Sequence, residues 1–265
     1  MNGGCLKKVN KERNTVLITG STSGIGEAFA SKFKLEGYNL ILVGRNEEKL
    51  KAQVEKIEKN CNVKYIACDL TSENAVDIIV DNLNKWNINV DILINNVGFN
   101  RVGLFNEIPI NDELEMVQLH IAMFLRLTKV CLKGMIKNNY GYIVNLGSTG
   151  SYIASPSDAV YSATKAFILS FTNALVGELE GTGVKVSTIC PGATITEFAQ
   201  KAGIEKTKLF KVGTMKPEEV VEYAYPRLMR GKRVIVPGIL NRIMVISSRI
   251  VPVSILNKIT LWMMK

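Results

Sequence analysis

Tyr161 and Lys165 are the pair of residues in this sequence whose types and spacing are best suited to moving a proton. They lie four positions apart, so a helix would place both side chains on one face, one turn apart. A free phenol with a pKa of about 10 is a weak base at neutral pH, and a neighbouring ammonium group favours the phenolate. The spacing therefore indicates an acid/base tyrosine tuned by a lysine. The alternative is a pair of amphipathic side chains on a half-exposed helix.

A glycine-rich segment, Gly20-Ser21-Thr22-Ser23-Gly24-Ile25-Gly26, follows the first apolar run of the chain and precedes a helical pattern. Its three glycines allow a tight turn, close approach of the backbone to a phosphate group, and close packing of a helix on a strand. The N-terminus of that helix would face the anion. The segment predicts the pyrophosphate-binding turn of a dinucleotide site, with an ordinary structural turn as the alternative.

The end of the second apolar run, Val43-Gly44-Arg45-Asn46, bears on the choice of dinucleotide. In dinucleotide-binding folds an acid at this point binds the ribose 2′-hydroxyl of NAD, whereas an arginine suits the 2′-phosphate of NADP. No acid ends this run, and a guanidinium group binds phosphate well. We therefore expect NADP(H) as the cofactor, with Arg45 on the phosphate; the alternative is a solvated surface charge.

Short apolar runs alternate with helical patterns along the chain, which predicts the elements that must position these residues. The strands are predicted at Thr15–Thr19, Asn39–Val43, Val63–Ala67, Asp91–Ile94, Tyr142–Leu146, Val184–Cys190 and Arg233–Val236. Helical periodicity covers residues 25–36, 46–59, 72–86, 111–137, 156–180 and 217–230. This alternation predicts an α/β protein with one doubly wound, seven-stranded parallel sheet, a Rossmann fold. Ligands of such sheets bind at the carboxyl ends of the strands.

Five motifs, in order over about residues 15–200, resemble those of the short-chain dehydrogenase/reductase family. They are Thr19-Gly20-x-x-x-Gly24-x-Gly26, Asp69 after the third strand, Asn95-Asn96-Val97-Gly98 after the fourth, Ser148 thirteen residues before Tyr161-x-x-x-Lys165, and Pro191-Gly192-x-x-x-Thr196. The segments 193–198 and 161–175 look most like the DltE-like branch, and Asn-Asn-Val-Gly is similar to hydroxysteroid and long-chain 3-ketoacyl reductases. The resemblance implies hydride transfer between NADP(H) and a carbonyl or secondary alcohol of a small-molecule substrate.

The same resemblance implies roles for individual residues. Ser148 would hydrogen-bond the substrate oxygen, Tyr161 would donate or remove its proton, and Lys165 would bind the nicotinamide ribose and lower the pKa of Tyr161. Cofactor contacts are implied for Gly20, Ser21, Ser23, Gly24, Ile25, Gly26, Arg45, Asp69, Asn96, Val97, Gly98, Tyr161, Lys165, Pro191, Gly192, Thr194 and Thr196. From the residues alone, Asp69 could equally be a helix N-cap, and the 95–98 and 191–196 segments could be ordinary turns. Many family members carry a second basic residue in the glycine turn, where this chain has Ser23.

His120 departs from the family pattern. It occupies the position of an asparagine whose main-chain carbonyl holds a relay water that reaches the lysine, so we expect His120 either to serve in the relay or to be a hydrogen-bonded interior residue. This departure is the one support for an alternative function, a cofactor-binding regulatory protein of the same fold with little turnover. A hydrolase acting through Ser148 is disfavoured, because the sequence has no G-x-S-x-G around it.

Composition limits which other classes of function are compatible with the sequence. With 47% hydrophobic and 22% charged residues the chain is an ordinary globular protein. Eight of the nine excess positive charges follow Glu222, beyond which there is no acid, so the body carries only +1 and a nucleic-acid-binding face is not expected. A single histidine argues against a metal site, and five cysteines without a Cys-x-x-Cys pair fit a reducing cytoplasm.

The last 27 residues differ from the rest of the chain because they are strongly apolar and carry only basic charges. We expect residues 1–238 to be the NADP-binding catalytic domain and 239–265 an apolar, basic tail, divided by Pro252 into two short helices. Its uncharged runs are too short for a spanning helix. The tail would cover the substrate pocket or a partner subunit, or else contact a membrane surface. By resemblance we expect a homodimer or homotetramer, formed through the helices near 111–137 and 156–180.

Overall fold

The computed structural model describes residues 14–57, 62–205, 207–211 and 213–264. Seven parallel strands form one sheet in the order β3-β2-β1-β4-β5-β6-β7. The strands are β1 (Thr15–Thr19), β2 (Asn39–Gly44), β3 (Val63–Ala67), β4 (Ile92–Asn95), β5 (Gly141–Leu146), β6 (Val184–Ile189) and β7 (Val234–Ile235). The order reverses between β1 and β4, which is the switch point of a doubly wound fold. The predicted α/β class and seven-stranded parallel sheet are confirmed.

Helices cover both faces of the sheet. They are α1 (Gly24–Leu35), α2 (Glu47–Ile57), α3 (Ala75–Trp86), α4 (Ile110–Val117), α5 (Phe124–Lys137), α6 (Ala159–Glu178), α7 (Glu197–Lys201), α8 (Lys208–Lys211), α9 (Pro217–Met229), α10 (Ile239–Ser247) and α11 (Val253–Met263). A π-helical turn, Gln118–Met123, joins α4 to α5, and a short 3-10 turn, Thr149–Ser151, follows β5.

The strands are apolar on both sides because each side meets a different layer of helices. Alternate side chains of β1 point to opposite faces, so Val16 and Ile18 lie in one core with α1 and α9, while Leu17 lies in the other with α3 and α5. All five residues of β1 are buried. Burial on both faces explains the continuous β-branched runs from which the strands were predicted.

The boundaries differ from the sequence prediction in a few places. The fourth strand is shifted by one residue to 92–95, and the seventh keeps only two residues at the sheet edge. The helix predicted over 111–137 is divided by the π-helical turn, because apolar periodicity does not register one extra residue in a turn. The predicted end of the second helix at 58–59 lies outside the described residues.

One helix among the described residues, Ala159–Glu178, is long and apolar enough to cross a membrane by length and composition. It carries Tyr161 and Lys165 and buries Ile168, Leu169 and Leu175, so it is a core helix of this fold.

Candidate active site

A cavity of about 950 Å³ opens at the carboxyl ends of the central strands. Turns that follow β1 to β6 build its walls, as expected for a parallel sheet at its switch point. Most of the residues predicted to form the site line this cavity: Gly20, Ser23, Gly24, Ile25, Arg45, Asp69, Asn96, Val97, Gly98, Ser148, Tyr161, Lys165, Pro191, Gly192, Thr194 and Thr196.

The glycine turn is fixed by backbone conformation and by Asn96. Gly20 and Gly24 have φ values of +63° and +56°, where a side chain is strained. A Cβ at Gly24 would also lie 2.9 Å from Thr196. The Asn96 side-chain amide donates to the carbonyl oxygens of Thr19 and Gly20, at 2.9 and 3.0 Å. Asn96 thus holds the turn in shape, and the turn leads directly into the N-terminus of α1.

Two predicted members of the turn lie outside the cavity wall, which corrects the sequence assignment. Ser21 is fully buried, and its carbonyl accepts a hydrogen bond from Gln53 at 2.8 Å, so this residue faces α2. Gly26 is buried where α1 packs against the turn, and a Cβ there would clash with the Gly20 carbonyl. Both residues shape the turn from behind because consecutive residues of a tight turn point in different directions.

The far end of the cavity carries positive charges, of which the sequence predicted only Arg45. Arg45 is exposed on the wall after β2, and Lys49, one turn into α2, lines the same wall. The Lys49 ammonium forms an ion pair with Glu197 at 2.9 Å, and Lys201 pairs with the same carboxylate at 3.0 Å. Lys49, four residues after Arg45, is thus a second cation on this wall, contributed by α2.

Asp69 lies on the wall at the end of β3, but it does not cap a helix. Its Oδ1 accepts hydrogen bonds from the Thr71 backbone N–H at 3.0 Å and the Thr71 hydroxyl at 2.8 Å, which forms a local turn. The helix that follows begins at Ala75, with Asn74 at its N-cap position. The N-cap alternative for Asp69 is thus wrong.

Ser148, Tyr161 and Lys165 meet on the cavity wall beside β5 and α6. The Ser148 Oγ accepts from the Gly150 backbone N–H at 3.0 Å, which fixes this oxygen at the start of the 3-10 turn. The Lys165 ammonium donates to the Leu146 carbonyl at 2.8 Å and lies 5.6 Å from the centre of the Tyr161 ring. Helix α6 thus presents the phenol and the ammonium group from one face, one turn apart, as the spacing predicted.

Burial acts on the two titrating groups in opposite directions. It raises the pKa of the Tyr161 phenol, Asp158 raises it further, and Ser148 partly offsets this by hydrogen bonding. Burial lowers the pKa of Lys165 to about 8. The expected lowering of the Tyr161 pKa by Lys165 is therefore not what the structure shows, because desolvation of the phenolate outweighs other influences. A low-dielectric wall favours the neutral form of both groups.

His120 lies behind the cavity wall, in the π-helical turn, with both ring nitrogens in use. Thr164 donates its hydroxyl hydrogen to the Tyr161 carbonyl at 2.8 Å, so it accepts from His120 Nδ1, 2.9 Å away. Nε2 then accepts from the Phe99 backbone N–H at 3.2 Å. Burial lowers the pKa of this imidazole well below its ordinary value. Of the two roles weighed for the side chain, the contacts match the hydrogen-bonded interior residue.

A polar cluster that was not predicted from the sequence lies on the wall next to Tyr161. Asp158 and Asn100 line the cavity, and Glu113 of α4 is buried close by. Each of the three leaves one buried side-chain oxygen without a hydrogen-bond partner among the described residues. Burial raises the pKa of Asp158 to about 7, against the influence of Asn100, and Glu113 raises it further. Only the position of Asp158, three residues before Tyr161, could have drawn attention to it.

Beyond the phenol, the cavity is lined mainly by apolar side chains. They come from the segment after β6 and from the tail helices: Phe198, Ile204, Leu209, Phe210, Met244, Met263 and Met264. The tail therefore closes this end of the cavity. Pro252 separates α10 from α11 where the sequence predicted the break.

Comparisons with known proteins agree with this geometry. The model of the family described as short chain dehydrogenase matches residues 14–207. Sulfoacetaldehyde reductase 2 of Chromohalobacter salexigens is 37% identical over 185 residues, which cover 69% of this chain and 73% of the relative. A short-chain dehydrogenase from Sphingobium yanoikuyae, solved in complex with NADPH, superposes with a TM-score of 0.80 at 29% identity, over 89% of this chain and 93% of that one. A structure from work on 7beta-hydroxysteroid dehydrogenase stereoselectivity gives 0.84 at 26% identity, over 94% and 97%.

Proposed function

Since the chain belongs to the short-chain dehydrogenase/reductase family and is an oxidoreductase with a nicotinamide cofactor, we propose that it interconverts a carbonyl and a secondary alcohol, with NADP(H) as cofactor and Tyr161 as acid/base. The observation that carries this proposal is a single cavity lined by the glycine turn, Arg45, Ser148, Tyr161 and Lys165. Positive φ at Gly20 and the N-terminus of α1 give a cradle that fits a pyrophosphate.

The residues of the chain would divide the work as follows. The glycine turn, Asp69 and Val97 would hold the dinucleotide, and Arg45 its 2′-phosphate, while the nicotinamide supplies the hydride when bound. Ser148 would hold the substrate oxygen by a hydrogen bond. Tyr161 would give that oxygen a proton or take one from it, and its buried phenol is held in the protonated state that carbonyl reduction needs.

Lys165 would bind the nicotinamide ribose and return a proton to Tyr161. Its side chain is almost fully buried. With a pKa of about 8, Lys165 exchanges protons close to neutral pH. The main-chain carbonyl of His120, in the π-helical turn behind Lys165, is the relay position that we propose for a bound water.

The apolar end of the cavity favours a substrate with a bulky apolar body over a small charged one. Phe198 lies 5.9 Å from Tyr161 between ring centres, so such a body would rest against this ring while its carbonyl reaches the phenol. The Asp158 carboxyl and the Asn100 amide offer hydrogen bonding at the edge of this space.

For the assembly and location we propose a homodimer or homotetramer in the cytoplasm, with residues 1–238 as the catalytic domain and the tail as its cover. The outer side of α6 exposes small residues, Ala163, Ala166, Ser170, Asn173 and Ala174, which permit close packing of a second copy. Sedimentation velocity on the full chain tests the oligomeric state.

The reaction is tested with Tyr161→Phe in a screen of NADPH-dependent reduction that spans steroid ketones, 3-ketoacyl thioesters and aromatic ketones. We expect turnover to be lost while NADPH still binds, because the hydroxyl carries the proton and little of the cofactor affinity. Tyr152→Phe is the matched control, a nearby half-buried phenol that is not on the cavity wall. Turnover by Tyr161→Phe close to that of the unmodified protein would refute the mechanism. NADPH binding without turnover on any carbonyl would favour the regulatory alternative.

The cofactor preference is tested with Arg45→Ala. Loss of a charge-assisted contact should weaken NADPH binding by about 1.5–3 kcal/mol and leave NADH unchanged. Lys51→Ala is the control, since Lys51 lies on α2 but pairs with Glu47 at 2.9 Å and is not on the cavity wall. Equal losses for NADPH and NADH in Arg45→Ala would show that the 2′-phosphate is not bound there.

A further inference from the structure

The outer side of the tail helices is the largest concentration of exposed apolar side chains in the described chain. Ile250 is 80% exposed, Ile239 67% and Trp262 58%. We call this the tail surface; it consists of Ile239, Leu240, Ile243, Ile246, Ile250, Val253, Ile255, Ile259, Leu261 and Trp262. A concentration of exposed apolar side chains of this kind on a folded protein marks a site of interaction.

The inner side of the same helices already has its partner. In α10, Asn241 and Val245 are buried one turn apart, and the Asn241 amide donates to the Pro237 carbonyl at 2.8 Å. In α11, Thr260, Met263 and Met264 line the cavity, and the Lys208 ammonium lies 4.4 Å from the centre of the Trp262 ring. Because one side of each helix is packed on the body, the tail surface is a second, unpartnered side, and covering the cavity does not account for it.

The charges among these apolar side chains are all positive. Arg242, Arg249 and Lys258 are exposed on α10, in the connection and on α11, and no acid follows Glu222 in the sequence. In a symmetric pair each copy presents the same patch to the other, so two tail surfaces would bring like charges together. Opposed cations without acids disfavour that pairing, whereas an anionic surface complements them.

We propose that the tail surface docks on an anionic lipid bilayer, with α10 and α11 lying in the plane of the interface. The helices have nine and eleven residues, too few to span, but their large apolar side chains and flanking cations fit the boundary between headgroups and acyl chains. The apolar end of the cavity would then lie beside the membrane, separated from it by α10 and α11. This inference concerns a binding surface and does not depend on the proposed reaction.

The test is cosedimentation of the full-length protein with vesicles of phosphatidylcholine alone or mixed with phosphatidylglycerol, at low and high salt. We expect binding to the anionic vesicles that weakens with salt, and, with Trp86→Phe removing the other tryptophan, a blue shift of the Trp262 emission on binding. Arg242→Gln should lower the partition coefficient about fivefold, since one cation near an anionic surface contributes about 1 kcal/mol. Ile246→Ser should lower it by a similar or larger factor.

Matched controls are Lys137→Gln at the end of α5 and Leu35→Ser at the end of α1, which remove an exposed cation and an exposed apolar side chain elsewhere. Both should bind as the unmodified protein does, and circular dichroism verifies that all four variants fold. The proposal is overturned if no vesicle binds at low salt, or if the controls lose binding equally. It is also overturned if Ile246→Ser dissociates an oligomer and the unmodified protein does not bind vesicles. In that case the tail surface binds a second copy of the chain.

Discussion

Asp158 is expected to make the stability of this protein depend on pH in a range where most carboxylates do not titrate. Its Oδ1 is buried without a hydrogen-bond partner among the described residues, and burial raises the pKa of this carboxyl from 3.8 to about 7. Glu113 on α4 and Tyr161 on α6 face the same region, while the neighbouring Asp112 pairs with Arg101 at 3.2 Å. Glu113 is also buried, and its pKa is raised. The perturbation is Asp158→Asn, which keeps the shape and removes the titrating proton.

The sign follows from the folded state binding the proton more tightly than the unfolded state. The stabilising contribution of the bound proton is complete below pH 3.8 and is lost as the pH rises to about 7. Between about pH 5 and 8, a shift of this size corresponds to a loss of about 2–3 kcal/mol in the free energy of unfolding. Asp158→Asn should not show this loss, so its stability relative to the unmodified protein should increase by that amount over the same range.

The assay is urea unfolding at about pH 5 and at about pH 8. Asp81→Asn is the control, because Asp81 is exposed on α3. A second readout is the pH profile of alcohol oxidation. Ionised Asp158 raises the pKa of Tyr161, so Asp158→Asn should move this profile to lower pH. Parallel stability curves for Asp158→Asn and the unmodified protein would refute the reasoning, whatever the kinetics show.

Two further substitutions test the charges at the phosphate end of the cavity and the hydrogen bonds of His120 behind its wall. Glu197→Gln should strengthen NADPH binding by about 0.2–1 kcal/mol without affecting NADH, because it frees the Lys49 ammonium from a 2.9 Å ion pair at the phosphate end; fluorescence titration measures this, and an equal change for both cofactors would contradict it. His120→Asn should lower the free energy of unfolding by about 1–3 kcal/mol, because the contacts of the ring with Phe99 and Thr164 are lost. The shape of its pH–rate profile should not change, since the imidazole is already neutral; the disappearance of an inflection at about pH 6–7 would show that this histidine titrates during turnover.

The sheet and the main site residues could be predicted because both follow from short, local patterns. A parallel strand covered on both faces must be continuously apolar, so β1, β2 and β5 stand out in the sequence. Chemistry in such a sheet follows the strands, and Ser148 and Arg45 come directly after β5 and β2. The Tyr161 to Lys165 spacing needs only helical geometry to place both groups on one face.

The residues that were missed depend on elements far apart in the chain. Lys49 reaches the cavity because α2 starts beside Arg45, and Glu197 meets it from 148 residues away. Asp158 is perturbed because α4 and the loop at Asn100 bury it, which no local pattern encodes. Ser21 was assigned to the cavity because the family turn contains it, yet the residue is fully buried and its carbonyl accepts a hydrogen bond from Gln53 of α2.

The opposite pKa changes of Tyr161 and Lys165 have one cause and therefore act together. A buried wall disfavours phenolate and ammonium alike, so each group is pushed towards its neutral form. A neutral phenol is an acid ready to protonate an oxygen, and a lysine with a pKa of about 8 can resupply that proton near neutral pH. Alcohol oxidation needs the reverse, a phenolate, which this wall and the nearby Asp158 carboxylate both oppose. The protein environment around Tyr161 thus favours the protonated phenol, the form that the proposed carbonyl reduction would use, through burial and the charge of Asp158.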